Sequence, residues 1–132
     1  MSDNFWRRLW EFGAGFNAVG VAVLIIGHDW VYTRDGLVPP VPGLHYDTWI
    51  GIVGVMGVAY FLVSRDLYGN LDLVRVSILA KLVSATSQLV YWLWWPETVV
   101  TMLLIPMFAD YVFAIMYWRF LQHAKRQLPR PA

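Results

Sequence analysis

Four long apolar segments, separated by short polar breaks, constrain this chain more than any other feature of its sequence. They run over about Leu9–Ile26, Thr48–Ser64, Leu71–Trp95 and Thr98–Phe120. At about 1.5 Å of rise per residue, a helix over each can cross a hydrocarbon core roughly 30 Å thick. Lipid supplies no hydrogen bonds, so such a segment must pair its own amides and carbonyls, which the α-helix does. The expected fold is all-α, an integral membrane antiparallel four-transmembrane-helix bundle forming one domain over residues 1–132. Hydrophobic residues at 58% against 14% charged lie outside the usual soluble balance and agree with a lipid bilayer as the main partner. A net charge of +1 with no concentrated basic face gives no basis for nucleic-acid binding. The absence of cysteine excludes disulfides and thiolate chemistry.

Arg7 and Arg8 precede the first apolar run as they would in a signal peptide. Asn17 interrupts that run, however, and Gly27-His28-Asp29 lacks a small-residue cleavage pattern, so it reads as a span. Asp35-Gly36 and Pro39-Pro40-Val41-Pro42-Gly43 forbid regular helix and mark an outer loop over 28–47. Asp47-Thr48 reads as a helix N-cap. Arg65-Asp66 and Gly69-Asn70 close the second span in a turn, and Tyr91-Trp92-Leu93-Trp94-Trp95 resembles an interfacial belt. With four spans the termini share a side. Arg7, Arg8, Arg65, Arg75, Lys125, Arg126 and Arg130 fall on that side and only Arg34 opposite. The positive-inside rule then places both termini in the cytoplasm and, in a bacterium, the protein in the inner membrane. The series Gly13, Gly20, Gly27 and Gly51, Gly54, Gly57 suits close helix contact.

Ionisable groups in hydrocarbon need a partner or a purpose. Lys81 and Asp110 each lie about ten residues, roughly 15 Å, from the cytoplasmic ends of their spans, and Asn17 falls in the same layer by the same rise. Ser77, Lys81, Ser84 and Gln88 recur at helical spacing on one face of span three, which is expected to line the interior. On span four Leu103, Pro106, Asp110, Ala114 and Tyr117 form a stripe, so Tyr117 joins the candidate polar set. Pro106 is expected to leave a carbonyl unpaired near Asp110. Arg75 either snorkels to the headgroups or pairs with Glu11. Two readings of the layer stand side by side. It is a buried salt bridge that fixes helix register, or a polar cavity holding a small lipophilic molecule, a quinone or a bound lipid.

At the outer mouth His28, Asp29, Tyr32, His45, Tyr46 and Asp47 include metal-ligand types, but their spacing matches no ligand motif, and His28 and His45 are weak candidates only. No GxSxG, HExxH, P-loop or Rossmann fingerprint is present.

The run Gly54-Val55-Met56-Gly57-Val58-Ala59-Tyr60-Phe61-Leu62-Val63-Ser64-Arg65-Asp66, followed by Asn70, Val74-Arg75 and Ala80-Lys81-Leu82, resembles the DoxX-like small bacterial four-helix membrane proteins. The resemblance covers about a quarter of the chain. It implies a four-helix bundle, in some members an accessory membrane subunit of an oxidoreductase acting on sulfur compounds or quinone. Three functions remain open at this point. The first is a bundle that binds a lipophile or serves as such a subunit. The second is an enzyme or small transporter that moves protons through Lys81 and Asp110. The third is a structural subunit, alone as a homo-oligomer or within a larger membrane complex.

Overall fold

The computed structural model describes residues 1–39 and 43–127, so Pro40, Val41 and Pro42 of the expected loop and Arg130 of the basic tail lie outside the described residues. Helix α1 (Asp3–Ile26) begins upstream of the apolar run. The Ser2 hydroxyl caps it by accepting from the Phe5 amide at 3.4 Å, and Asp3 lies in the first turn, where the helix dipole favours an acid. A short helix α2 (His28–Thr33) follows, closed by a turn in which Gly36 takes a φ of 71°.

Helix α3 (Leu44–Arg65) starts earlier than the sequence suggests. Asp47 is not its cap but lies in its first turn, and Thr48 donates back to the Leu44 carbonyl at 2.7 Å. Asp66 then turns the chain: its Oδ1 accepts from the Gly69 amide at 2.9 Å, while Asn70 Nδ2 donates to the Asp66 carbonyl at 3.0 Å. Helix α4 (Leu71–Trp94) leads into 3₁₀ turns at Pro96–Thr98 and Thr101–Leu103, and α5 (Leu104–Gln127) completes the bundle. Span four therefore becomes α-helical only at Leu104, which puts Pro106 in the first turn. Proline is tolerated in a first turn, where it distorts the helix least.

Four helices are long and apolar enough to cross a membrane, and only 22–28% of each apolar window is buried inside the protein. The outward residues include Val19, Ile25, Val55, Val58, Leu79, Val83, Ile105, Val112 and Ile115, all more than half exposed. A belt of that size is an interaction surface, and here it fits lipid. The chain is a multi-pass membrane protein.

The bundle is two tight hairpins, α1 against α3 and α4 against α5, with a lighter contact between α3 and α4. Gly57 sets the first hairpin. A Cβ there would stand 3.2 Å from Asn17 Cβ and 3.6 Å from the Ala14 carbonyl oxygen, tight enough that α1 would have to give by a few tenths of an ångström. Gly20 and Gly51 meet nothing within 4 Å, so the glycine series does not act as a whole.

The hairpins join at the end that holds both termini, where Trp6, Trp10, Tyr60, Tyr117 and Phe120 form an aromatic core with Val63 and Val74. Trp10 stacks on Tyr117 with ring centroids 3.8 Å apart, and Phe120 meets both Trp6 and Trp10. Helix association in lipid gains little from expelling water, so ring packing of this kind, about 0.5–1.5 kcal/mol per aromatic pair, fastens one hairpin to the other. Toward the loop end a smaller cluster of Leu24, Val31, Tyr46, Ile50 and Val100 packs α2 and the start of span four onto the first hairpin. Between the two clusters the hairpins part.

Candidate functional site

Lys81 comes from the middle of α4, Asp110 from the upper part of α5 and Asn17 from the middle of α1, and the three meet where the hairpins begin to separate. Lys81 Nζ donates to Asp110 Oδ1 at 2.5 Å and to Asn17 Oδ1 at 3.2 Å. Asn17 Nδ2 in turn donates to the Val53 carbonyl on α3 at 2.9 Å. One connected set thus ties all four long helices. Exposure falls to 5% for Lys81, 7% for Asp110 and 4% for Asn17, so a charge here without its partner would cost about 3–5 kcal/mol. The rings of Phe113, Tyr60 and Phe16 stand 5.3, 5.4 and 5.9 Å from Lys81 Nζ and offer the ammonium further electrostatic support.

Above this layer, toward the loop end, lies a cavity of about 930 Å³. Its floor is Asn17, Lys81, Asp110 and Tyr60, and its walls are mainly apolar, among them Phe16, Val23, Val53, Met56, Leu103 and Pro106. Tyr32 and Val31 of α2 and Tyr46 of α3 stand at its mouth. Val19, Ile52, Val83 and Ile105, one from each long helix, also line it, yet they are 57–69% exposed on the lipid-facing surface. The cavity therefore reaches the bilayer as well as the loop end. A side chamber of about 200 Å³ adjoins it between Tyr32, Ser87, Gln88, Tyr91 and the Thr98–Val100 segment.

Ser84 and Gln88 line the cavity one and two turns above Lys81. Gln88 Nε2 donates to Ser84 Oγ at 3.2 Å and to the Ser84 carbonyl at 3.4 Å. A carbonyl only accepts, which fixes the amide orientation and leaves Gln88 Oε1 without a partner in the protein. Tyr117 does not join the layer. It lies two turns below Asp110, stacked on Trp10 in the aromatic core, and its Oη is buried with no hydrogen-bond partner. Gly13 makes the room for that hydroxyl, since a Cβ there would collide with it. The periodicity that placed Tyr117 on the Asp110 stripe is sound. Two turns of rise, about 10 Å, carry it out of the polar layer.

Several participants carry no polar signal in the sequence. Tyr60, Phe16 and Phe113 around Lys81 look like ordinary membrane aromatics, and the Val53 carbonyl is backbone. Tyr60 follows Gly57 by one turn on α3, so the close-contact glycine was the only pointer to it. Thr86, on the far side of α4 from Lys81, hydrogen-bonds Tyr111 at 3.1 Å and links α4 to α5. Arg75 pairs with Asp72, not Glu11, on the exposed side of α4.

At the mouth, Tyr46 donates to the Leu24 carbonyl at 3.1 Å, and Asp35 Oδ2 accepts from the Thr101 amide at 2.5 Å, tying the loop after α2 to the start of span four. Burial pushes the Tyr32 phenol above its usual range, so it stays a neutral donor. His28 bonds Asp29 at 2.9 Å and packs edge-on against Tyr46, while His45 is exposed. Among the described residues no three His, Cys, Asp or Glu side chains gather as a metal site.

The fold and the site define a class: a four-helix membrane bundle with a charge-paired polar floor beneath an apolar cavity. No family model, curated protein or solved structure matches the chain.

Proposed function

We propose that the protein binds a small lipophilic molecule, quinone-like or lipid-like, in the intramembrane cavity, and acts on its own or as the accessory subunit of a membrane oxidoreductase. The observation that carries this reading is the cavity itself. At about 930 Å³ it suits an amphiphile, its walls are apolar, and its few polar groups converge at one depth. The resemblance to DoxX-like proteins, some of which are accessory subunits, supports the same assignment. Orientation follows from charge. Arg7, Arg8, Arg65, Arg75, Arg119, Lys125 and Arg126 belong to the end that holds both termini, which by the positive-inside rule faces the cytoplasm of a bacterial inner membrane.

Proton transfer through Lys81 and Asp110 is the weaker reading. A proton path needs water on both sides of the pair. Toward the terminal end Trp10, Tyr60, Phe113, Tyr117 and Phe120, none more than 6% exposed, fill the bundle below it.

The test is native mass spectrometry of the protein purified in a mild detergent, next to a Lys81→Met/Asp110→Leu double variant that removes both charges together. Retention of a neutral lipophile by the wild type, and its loss from the folded double variant, is the expected result. If no lipophile co-purifies with the wild type and neither added decylubiquinol nor added dioctanoylglycerol stabilises it thermally, the binding reading is wrong.

A further inference from the structure

We infer that the occupant is a neutral lipid with two chains on one small head, of the diacylglycerol kind, seated with its head on the polar floor and one chain leaving through each of two opposite seams in the bundle. The inference rests on the binding reading above and narrows it from a lipophile in general to a two-chain one.

The seams follow from which helices pair. Helix α1 packs tightly on α3, and α4 on α5, where Thr86 also hydrogen-bonds Tyr111. The openings therefore lie between the hairpins, α1 beside α5 on one side and α3 beside α4 on the other. Below the floor both seams are shut. Phe12 and Phe16 meet Phe113 across the first, with ring centroids 5.9 and 5.5 Å apart. Val63 and Val74 belong to the core that closes the second.

Above the floor the seams stay open. A residue that lines the cavity and is also more than half exposed to lipid stands at the edge of an opening. Val19 of α1 and Ile105 of α5 do so at 64% and 69% exposure, and Ile52 of α3 and Val83 of α4 both at 57%. Gly20 beside Val19, and Ala80 one turn below Val83, leave width for a chain at each seam. The cavity thus runs through the bundle from one lipid face to the other.

Size and charge narrow what fills such a passage. A volume of about 930 Å³ lies near the upper end of the range usual for ligand sites. A single chain leaving by one seam makes no contacts in the other, whereas two diverging chains gain dispersion contacts in both. The floor lies deep in the membrane, and Lys81 and Asp110 neutralise each other there at 2.5 Å. A charged head would leave water for a site with no net counter-charge, which a neutral head avoids. A glycerol head both donates and accepts hydrogen bonds, which suits a floor of mixed polarity.

The experiment measures dissociation constants, as mole fractions of bilayer lipid, for the full chain in nanodiscs. The probes are 1,2-dioctanoylglycerol, 1-palmitoylglycerol, which carries the same acyl carbons in one chain, and decylubiquinol. Dioctanoylglycerol is expected to bind about tenfold or more tightly than either single-chain probe. Two variants then narrow one seam each, Val19→Trp/Ile105→Trp and Ile52→Trp/Val83→Trp, at positions where lipid accommodates a larger apolar side chain. Each is expected to weaken dioctanoylglycerol about tenfold and 1-palmitoylglycerol less than about threefold, because a single chain leaves by the seam still open. A single-chain probe that binds as tightly as dioctanoylglycerol overturns the two-chain assignment and leaves the binding reading intact. Dioctanoylglycerol affinity unchanged in either seam variant overturns the passage of a chain through each seam. No binding of any probe overturns the inference and the binding reading together.

Discussion

Removing Lys81 should damage this protein more than removing its partner, and removing both should restore most of what either loses. Lys81→Met leaves the Asp110 carboxylate, 7% exposed, with no counter-charge, and strips Asn17 Oδ1 of its 3.2 Å donor. Breaking a buried pair from one side costs about 3–5 kcal/mol, and the orphaned amide oxygen adds about 1 kcal/mol. Asp110→Leu leaves an ammonium that still holds Asn17 and faces three rings at 5.3–5.9 Å, so its cost should lie near the low end, about 2–3 kcal/mol. The Lys81→Met/Asp110→Leu variant buries no charge and fills similar volume, and should come within about 1–2 kcal/mol of wild type. The coupling between the positions is then about 4–8 kcal/mol. Reversible unfolding in mixed detergent micelles, followed by fluorescence of the buried Trp6 and Trp10, gives the four free energies of the cycle. Additive losses, or single losses under about 1 kcal/mol, would refute the reasoning and mean that water already screens the pair.

Three further outcomes follow from the packing. Gly57→Leu should cost about 1–3 kcal/mol by forcing α1 off α3, whereas Gly51→Leu, with nothing within 4 Å of a Cβ, should gain up to about 1 kcal/mol from helix propensity in the same unfolding assay. Tyr117→Phe should be neutral or stabilising by up to about 1 kcal/mol because it deletes a buried hydroxyl with no partner, while Tyr117→Ala should cost about 3–5 kcal/mol; a large loss in Tyr117→Phe would mean the hydroxyl is bonded. Asp35→Ala should release the Thr101 amide, raising its hydrogen-exchange rate about tenfold with little change at Asn17.

Helix number and the polar layer were legible in the sequence because both are local arithmetic. Apolar length gives the spans, and equal distance from the span ends brings Lys81, Asp110 and Asn17 to one depth. What escaped depends on how helices pair. Counting along α4 cannot say that its Lys81 points at Phe16, Tyr60 and Phe113, since these come from three other helices. The polar layer suggested a cavity, but the sequence does not show that Trp10 packs on Tyr117 and Phe120 between α1 and α5 below it, nor that the space opens above it toward the loop end. Tyr117 was misplaced for a related reason: the stripe gave its angle correctly, as it did for Pro106, but not how thin the polar layer is. Glycine was legible only as a series, and only contact with Asn17 distinguishes Gly57 from Gly51.

Lipid chains and a specific ligand fill a bilayer cavity with different consequences for stability. Gly20 allows the two cases to be separated. It lines the cavity on α1, and a Cβ there would meet nothing within 4 Å. Gly20→Leu should gain about 1 kcal/mol from helix propensity and more from contacts with the cavity wall, whichever case holds. The difference appears on adding a probe. If the space is a binding site, decylubiquinol or dioctanoylglycerol at 100 times its dissociation constant should stabilise the wild type by about 2.7 kcal/mol and the Gly20→Leu variant by almost nothing. If the space is only loose packing filled by lipid, the variant gains the same intrinsic stability, but neither protein responds to the probe. Equal stabilisation of both proteins would place the probe elsewhere on the apolar surface. The stability gain reports on packing and the probe response on function, and Gly20→Leu moves them in opposite directions only if the cavity holds a ligand.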